Sequence, residues 1–463
     1  MVDSAWNTWF AEREDEHLAE LFDFLRIPSV SALPSHRNDV RRAAGWVADR
    51  LRRAGVPDVQ LLETGGHPLV LGYWSVDPAK PTAMIYAHYD VQPPDPLDLW
   101  ESPPFEPEIR DGRIYARGAG DDKAGLLTTI LAVEALAARD GQPPINLVFF
   151  FEGEEEISSP SVAPFIRENR DTINADFVIS ADGMMLDEHT PALTVSTKGI
   201  AGCEIILTTA ATDMHSGLYG GSVRNAAQAM AELVASFHDP SGRVAVDGFY
   251  NQVNDPTDRE REELDRVPFD ADRYFGAVGA GQLWGEPGFY PLERLWLRPT
   301  LDVNGLWSGF QGAGSKTVTP AEARVKITCR LVPEQQPADI LDLLEDHVRA
   351  HCPAGASLQF LRRDGSALPY AIDRDHPALL AAEDTLRSLF DKDPAVIRIG
   401  GTIPIAQDFK QELGADLIFF AWSLPDCNAH APNEWYRLQD FRTGAVATCE
   451  YLSRLGRLPE NAF

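Results

Sequence analysis

Along the first part of the chain the hydrophobic positions change period several times. Three short apolar runs, TAMIYA, INLVFFF and DFVIS, lack the polar alternation of a half-exposed strand, and they predict parallel strands buried on both faces. Helical spacing separates them. DVRRAAGWVADRLRRAG carries apolar residues at helical intervals and ends at Gly55. GDDKAGLLTTILAVEALAARDG places Leu126, Leu127, Ile130, Leu131 and Val133 on one face behind an acidic N-terminus. This alternation predicts an α/β domain with a central, mostly parallel sheet. From about residue 197 the texture changes. CEIILTT, a helix over SVRNAAQAMAELVASF, strands at PTLDV and ARVKITCRLV, a helix over PADILDLLEDHVRAH and a strand at SLQFL give the order β-α-β-β-α-β of a ferredoxin-like α+β module. A long polar insertion, about Asp239 to Pro299, interrupts that module, and such insertions are more often functional or interface-forming than idle. After about residue 367 the α/β pattern returns, with a helix over HPALLAAEDTLRSLF and a strand at DLIFFAW. The predicted organisation is one α/β domain, 1–196 and 367–463, interrupted by an inserted module, 197–366.

Composition narrows the function classes. At 463 residues the chain has room for two to three domains of about 150 residues, and 44% hydrophobic with 24% charged residues is ordinary for a globular protein. Lys plus Arg number 41 against 70 Asp plus Glu, so the net charge of −29 repels phosphate backbones and anionic lipid. Nucleic acid and membrane are not expected partners. Cys203, Cys329, Cys352, Cys427 and Cys449 form an odd set without a CxxC pair, which predicts reduced thiols and a cytoplasmic location. The opening MVDSAWNTWFAEREDEHLAELFDFL is acidic and amphipathic, unlike a signal peptide, and the longest apolar runs fall well short of the roughly 20 residues that span a bilayer.

The chemistry sits where the apolar strands end. In an open parallel sheet, ligands bind beyond the carboxyl ends of the strands. Here TAMIYA runs into His88 and Asp90, INLVFFF into Glu152, Glu154, Glu155 and Glu156, DFVIS into Asp182, and DLIFFAW through a short loop towards His430. Asp121 opens the helix after GAG, so five segments deliver metal-type ligands to one rim. Each residue also has an ordinary reading: a hydrogen-bonded histidine, a helix cap, a solvated acidic run or a turn residue. In an extended chain, however, positions i and i+2 share a face, so Asp90 can hold the His88 ring from behind, as carboxylates do for metal-bound histidines. Repulsion among the acids of EGEEE beside a buried strand is costly unless a cation neutralises it.

The segments HYDVQP, ARGAGDDKAG, EGEEEISS, ISADG, DMHSGLYGG, KTVTP, CRLVP, GGTIP and AHAPNEW, in this order, resemble the motif series of the dinuclear-zinc dipeptidase family, which includes carnosinases and cytosolic nonspecific dipeptidases. The resemblance spans nearly the whole chain. It implies a zinc-peptidase catalytic domain carrying an inserted lid and dimerisation domain. It further implies two Zn²⁺ ions bridged by Asp121, with His88 and Asp182 completing one site, Glu156 and His430 the other, and Asp90 orienting His88; Mn²⁺ or Co²⁺ suits the same N/O ligands. Glu155 is implied as general base, and His215 as the oxyanion donor reaching in from the other subunit of a homodimer. Arg330 resembles the binder of the substrate's C-terminal carboxylate, with Thr317 and Thr402 hydrogen-bonding the substrate. The expected activity is hydrolysis of dipeptides or short peptides with a free C-terminal carboxylate. N-acyl amino acid deacylation or desuccinylation is the alternative with the same metals, and a non-catalytic scaffold the remote one. Two departures from the family pattern stand out: Ser158 and Ala124 occupy positions where glycine is usual, and neither is an implied ligand.

Overall fold

The computed structural model describes residues 4–459, 462 and 463, and the chain divides into two compact units. The first comprises Met1–Val195, Ile372–Ile397 and Ile405–Phe463, and the second Ser196–Ala371 with Arg398–Pro404. Ten strands build the two main sheets: β1 (Asp58–Leu62), β2 (Leu69–Trp74), β3 (Thr82–His88), β4 (Asn146–Glu152), β5 (Phe177–Ser180), β6 (Gly199–Thr208), β7 (Thr300–Ser308), β8 (Glu322–Leu331), β9 (Ser357–Arg362) and β10 (Asp416–Phe419). The helices that matter below are α1 (Arg37–Arg53), α2 (Ala124–Asp140), α3 (Ala226–Ala235), α4 (Pro337–Ala350), α5 (Pro377–Phe390) and α6 (Leu438–Leu455).

The sheet of the first unit has the order β1-β2-β4-β3-β5-β10. The pairs β3/β4, β3/β5 and β5/β10 are parallel, while β1/β2 and β2/β4 are antiparallel. The fold is thus mixed α/β with a mostly parallel central sheet, as the apolar runs predict. All seven residues of β4 are buried, as are the last six of β3, and this burial on both faces is why those runs do not alternate. On α1 the buried residues Val40, Ala43, Ala44, Val47, Ala48 and Leu51 follow the helical period, with Arg37, Arg41, Arg42, Arg52 and Arg53 exposed and Arg50 buried in ion pairs to Glu20 and Glu134. Of the elements named above, β1, β2 and α6 are not signalled by the sequence pattern. β1 is largely exposed at a sheet edge and β2 continues it antiparallel, so neither sits in the parallel context of the apolar runs. α6 packs against α2 and α5, and its apolar residues are interspersed with Thr, Gly and Glu that are buried as well, which blurs its period.

In the second unit the sheet order is β7-β8-β6-β9, all antiparallel. Read in chain order, the first and third strands lie at the centre, which is the ferredoxin-like arrangement. β8 shows period-two burial: Ala323, Val325, Ile327, Cys329 and Leu331 face a core shared with Ala226, Met230 and Leu233 of α3 and Leu341, Leu344 and Val348 of α4. The insertion folds into short helices, Asp258–Asp265, Ala271–Gly276 and Pro291–Trp296. Thr257 and Glu260 cap the first of these reciprocally, and a buried pair joins Arg298 to Glu286 at 2.8 Å. Part of its polarity goes into such caps and ion pairs.

Candidate metal centre and active site

At the carboxyl end of β3 His88 is fully buried, with Nε2 2.8 Å from Asp121 Oδ1. The second oxygen of the same carboxylate, Oδ2, lies 3.0 Å from His430 Nε2. One aspartate thus serves two imidazoles from remote segments. Around it form two ligand groups, His88–Asp121–Asp182 and Asp121–Glu156–His430, each with its ligand atoms within 4.8 Å of one another. Glu156 approaches His430 Nε2 at 3.1 Å through Oε2, and that oxygen also accepts from Gln92 Nε2 at 2.7 Å.

Local backbone geometry explains how Asp121 comes to face the centre. Gly118 adopts φ +84, which favours glycine, and Asp121 leaves the helical path at φ −142, ψ 94 before α2 begins. The turn's amides are held by a residue that the sequence reading did not assign, Glu434. Its Oε1 accepts from Gly120 N (2.8 Å) and Asp121 N (3.0 Å), and its Oε2 from Gly118 N (3.0 Å) and Arg117 Nη1 (2.5 Å). Glu434 and Arg117 are both buried. The only sequence trace of this clamp is that Glu434 lies within AHAPNEW, four residues after His430. Close packing adds a second constraint, since a Cβ on Gly120 would lie 3.1 Å from Trp435 O and 3.2 Å from Cys427 Sγ.

The opposite wall comes from EGEEE. Glu152 and Glu154 face elsewhere: Tyr86 OH and Ser159 Oγ each donate to Glu152 Oε1 at 2.8 Å, and Glu154 accepts from His67 N at 2.8 Å and Ser161 N at 3.1 Å. Of that run, Glu156 joins a ligand group and Glu155 lies beside the charges of His88, Asp182 and Asp121. The loop then turns through Ser158 (φ 71) and Ser159 (φ 47), so the position where the family pattern has glycine is left-handed, and Ser158 bears that strain. His430 itself has φ +61, a backbone strain of the kind held at functional sites. Asp90 is fully buried behind His88, but its backbone oxygen, at 3.1 Å from Nδ1, is nearer than its carboxylate, at 3.4 Å. Its Oδ2 accepts from Glu156 N at 3.2 Å, which ties the two ligand loops together.

Electrostatics mark the cluster as short of positive charge. Burial pushes the Asp182 carboxyl up to about 7, with the charge of Asp121 adding to it. Burial likewise raises Glu155 well above the usual carboxylate range, and Asp182, Asp121 and Glu156 reinforce this against His88. Asp121 goes the other way: burial opposes ionisation, yet hydrogen bonds from His430 and His88 hold it below the usual range. His430 is pushed up to about 10 by its bonds to Asp121 and Glu156. Two imidazoles and three carboxylates in two groups sharing one member are N/O donors suited to a pair of divalent cations, and such cations would relieve the strain on Asp182 and Glu155.

The remaining predicted residues belong to the second unit and form two neighbourhoods. His215 is exposed on the two-residue strand Met214–His215, which pairs with Val318–Thr319; Ser216 N donates to Thr317 O at 3.2 Å. At the end of β8 Arg330 donates through Nη1 to Thr402 Oγ1 at 2.8 Å.

Residues 84–454 match Peptidase family M20/M25/M40. The chain belongs to this family. As an M20 chain it is similar to the Cys-Gly metallodipeptidase of Candida albicans, 29% identical over 471 residues and 96% of each chain. It is also similar to the Beta-Ala-His dipeptidase of Rattus norvegicus, 28% identical over 467 residues, 96% of this chain and 94% of that one. Among solved structures, the M20 family metallo-carboxypeptidase of Sulfolobus solfataricus is 30% identical with a TM-score of 0.80, covering 96% of this chain and 100% of that chain. The M20 peptidase fold and the two ligand groups therefore occur in one chain.

Proposed function

We propose that this M20 peptidase is a metal-dependent dipeptidase that hydrolyses dipeptides or short peptides with a free C-terminal carboxylate. The observation that carries it is the shared carboxylate of Asp121, set between His88 and His430 with Glu155 alongside. His88, Asp121 and Asp182 would hold one cation, and Asp121, Glu156 and His430 the other, with Zn²⁺ as the proposed metal. Bound there, divalent cations supply Lewis acidity that polarises the scissile carbonyl and acidifies water. Glu155 takes the proton from the attacking water and returns it to the leaving amine, the two proton transfers that one carboxylate beside the cluster can serve. Asp90 fixes the ring of His88 from behind through its backbone oxygen, and Glu434 fixes the turn that presents Asp121. His215, supplied by the second copy of a homodimer, would donate to the oxyanion, with Thr317 and Thr402 hydrogen-bonding the substrate.

Arg330 suits the terminal carboxylate. It is half-buried and has no carboxylate partner among the described residues. Two relatives are named dipeptidases and the third a metallo-carboxypeptidase. Edge strand β7, where Val303 and Leu306 are exposed ahead of Phe310, supports association with a second copy. The free cysteines support a cytoplasmic location, and no helix among the described residues is long and apolar enough to cross a membrane.

Glu155→Gln tests the mechanism. The variant is expected to keep its metals by elemental analysis and to lose about 10³-fold or more in kcat; wild-type-like turnover removes Glu155 from the role. A panel of free dipeptides against N-acetyl and N-succinyl amino acids separates the dipeptidase from the deacylase reading, and efficient turnover of the acylated set alone ends the former. An active monomer in a sedimentation experiment contradicts the donation of His215 across subunits.

A further inference from the structure

The second unit contains a cavity of about 460 Å³ between the insertion and the strand ends of its sheet. Lys198, Arg294, Arg298 and Arg330 line it against Glu286 and Asp302, a net positive lining in a chain of net charge −29. Both acids are engaged. Glu286 accepts from Arg298 Nε at 2.8 Å and Nη2 at 2.9 Å and from Arg243 Nη1 at 2.5 Å, while Asp302 accepts from Thr300 Oγ1 at 2.7 Å. Lys198 Nζ is spent on the main chain, donating to Arg294 O at 3.1 Å and Arg298 O at 2.6 Å. Two guanidiniums remain. Arg330 bonds only the Thr402 hydroxyl, and Arg294 has no carboxylate within ion-pair distance among the described residues. The Nε of Arg294 is moreover buried without a hydrogen-bond partner, an arrangement that costs free energy until an acceptor arrives.

The site is shaped for that side chain. Gly285 adopts φ +137, and a Cβ there would lie 3.2 Å from Arg294 Cδ, so glycine lets the arginine lie along the backbone. Tyr250, Leu295 and Leu301 supply apolar wall, where a charge-assisted bond is stronger than at an open surface.

We propose that this cavity selects substrates whose C-terminal residue carries a second carboxylate, aspartate or glutamate, with the terminal carboxylate on Arg330 and the side-chain carboxylate on Arg294. This rests on the role proposed above for Arg330. The balance favours an acidic side chain because Glu286 is already paired with Arg298 and Arg243, and a neutral side chain leaves Arg294 without a carboxylate among the described residues.

The test compares Gly-Glu, Gly-Gln and Gly-Ala, by steady-state kinetics on the metal-loaded enzyme and by calorimetric binding to its Glu155→Gln variant. Gly-Glu is expected to exceed Gly-Gln about tenfold or more in kcat/KM, carried by KM, and to bind tighter by a similar factor. Arg294→Gln should abolish that ratio and leave Gly-Ala unchanged, while Arg294→Lys should retain part of it. Equal values for Gly-Glu and Gly-Gln in the wild type, no binding of either, or a uniform loss across all three peptides in Arg294→Gln overturns the proposal. Arg330→Gln keeps the two readings apart: undiminished turnover of Gly-Ala in that variant overturns the carboxylate role of Arg330, and the present proposal with it. Loss on Gly-Ala in Arg330→Gln together with a wild type indifferent to Glu against Gln removes the Arg294 proposal alone.

Discussion

The two main sheets treat neighbouring residues differently, and the placement of chemistry follows from that. In β3 and β4 adjacent residues are buried alike, whereas in β8 burial alternates from one residue to the next. A sheet buried on both faces has no surface on which to set polar groups, so His88, the Glu155–Glu156 loop and Asp182 emerge where the strands stop. Because those strands are parallel, they stop on the same side. The antiparallel sheet alternates its strand directions and leaves one face polar, so the second unit's candidate residues are scattered: Arg330 at a strand end, Arg294 in the insertion, and His215, Thr317 and Thr402 on other segments. The lesson is that strand direction concentrates ligands in one unit and disperses them in the other.

The largest expected effect attacks the concentration directly. If the strand ends build one centre, Asp121→Ala should cost both metals, with metal content falling from two equivalents to below one and activity to background; two equivalents retained by elemental analysis would show that Asp121 is not shared. Next is the burial contrast itself. Phe149→Ala and Phe150→Ala, neighbours in β4, should each cost about 3–5 kcal/mol in denaturant unfolding. In β8, Ile327→Ala should cost about 2–5 kcal/mol but its neighbour Thr328→Ala about 0.5 kcal/mol or less, and equal costs within the β8 pair would erase the distinction.

A smaller effect separates burial from chemistry within the first unit. His17 is buried against Trp9 and Phe10, and burial lowers its pKa to about 4, with Arg50 and Arg13 adding to this against Glu20. His430, by contrast, is raised by its acids. Between pH 4 and 6.5 the unfolded chain binds a proton that folded His17 refuses, so its contribution is complete above about pH 6.5 and is lost as pH falls towards about 4. His17→Leu should therefore lose less stability than wild type between pH 7 and 4.5, by on the order of 1–3 kcal/mol. Parallel thermal melts across that range check it; identical slopes would mean His17 keeps an ordinary pKa.

Much of this molecule is legible before folding. The apolar runs gave β3, β4, β5 and β10 their place, and the helical spacing gave α1, α2, α4 and α5. Acids and histidines at strand ends gave the ligand candidates. Edge strand β1 and helix α6 were missed because solvent exposure at an edge and buried Thr, Gly and Glu blur the period on which such readings depend, and buried β2 because its short apolar run LVLGYW is broken by a glycine. Among the acids of EGEEE, nothing in the run distinguishes Glu152 and Glu154, bonded to Tyr86, Ser159, His67 and Ser161, from Glu155 and Glu156.

By itself the sequence determined the periods, the turn-forming glycines and which side chains were available as ligands, because those follow from neighbours a few positions apart. Only the tertiary structure decided how they are paired: Asp121 divides its two oxygens between His88 and a histidine 309 residues away, Glu434 clamps the turn beneath it, and the Nε of Arg294 is left buried without a partner among the described residues. The physical reason is that a charge's partner depends on which groups meet in space and on how much water their meeting excludes, and neither is written in local spacing.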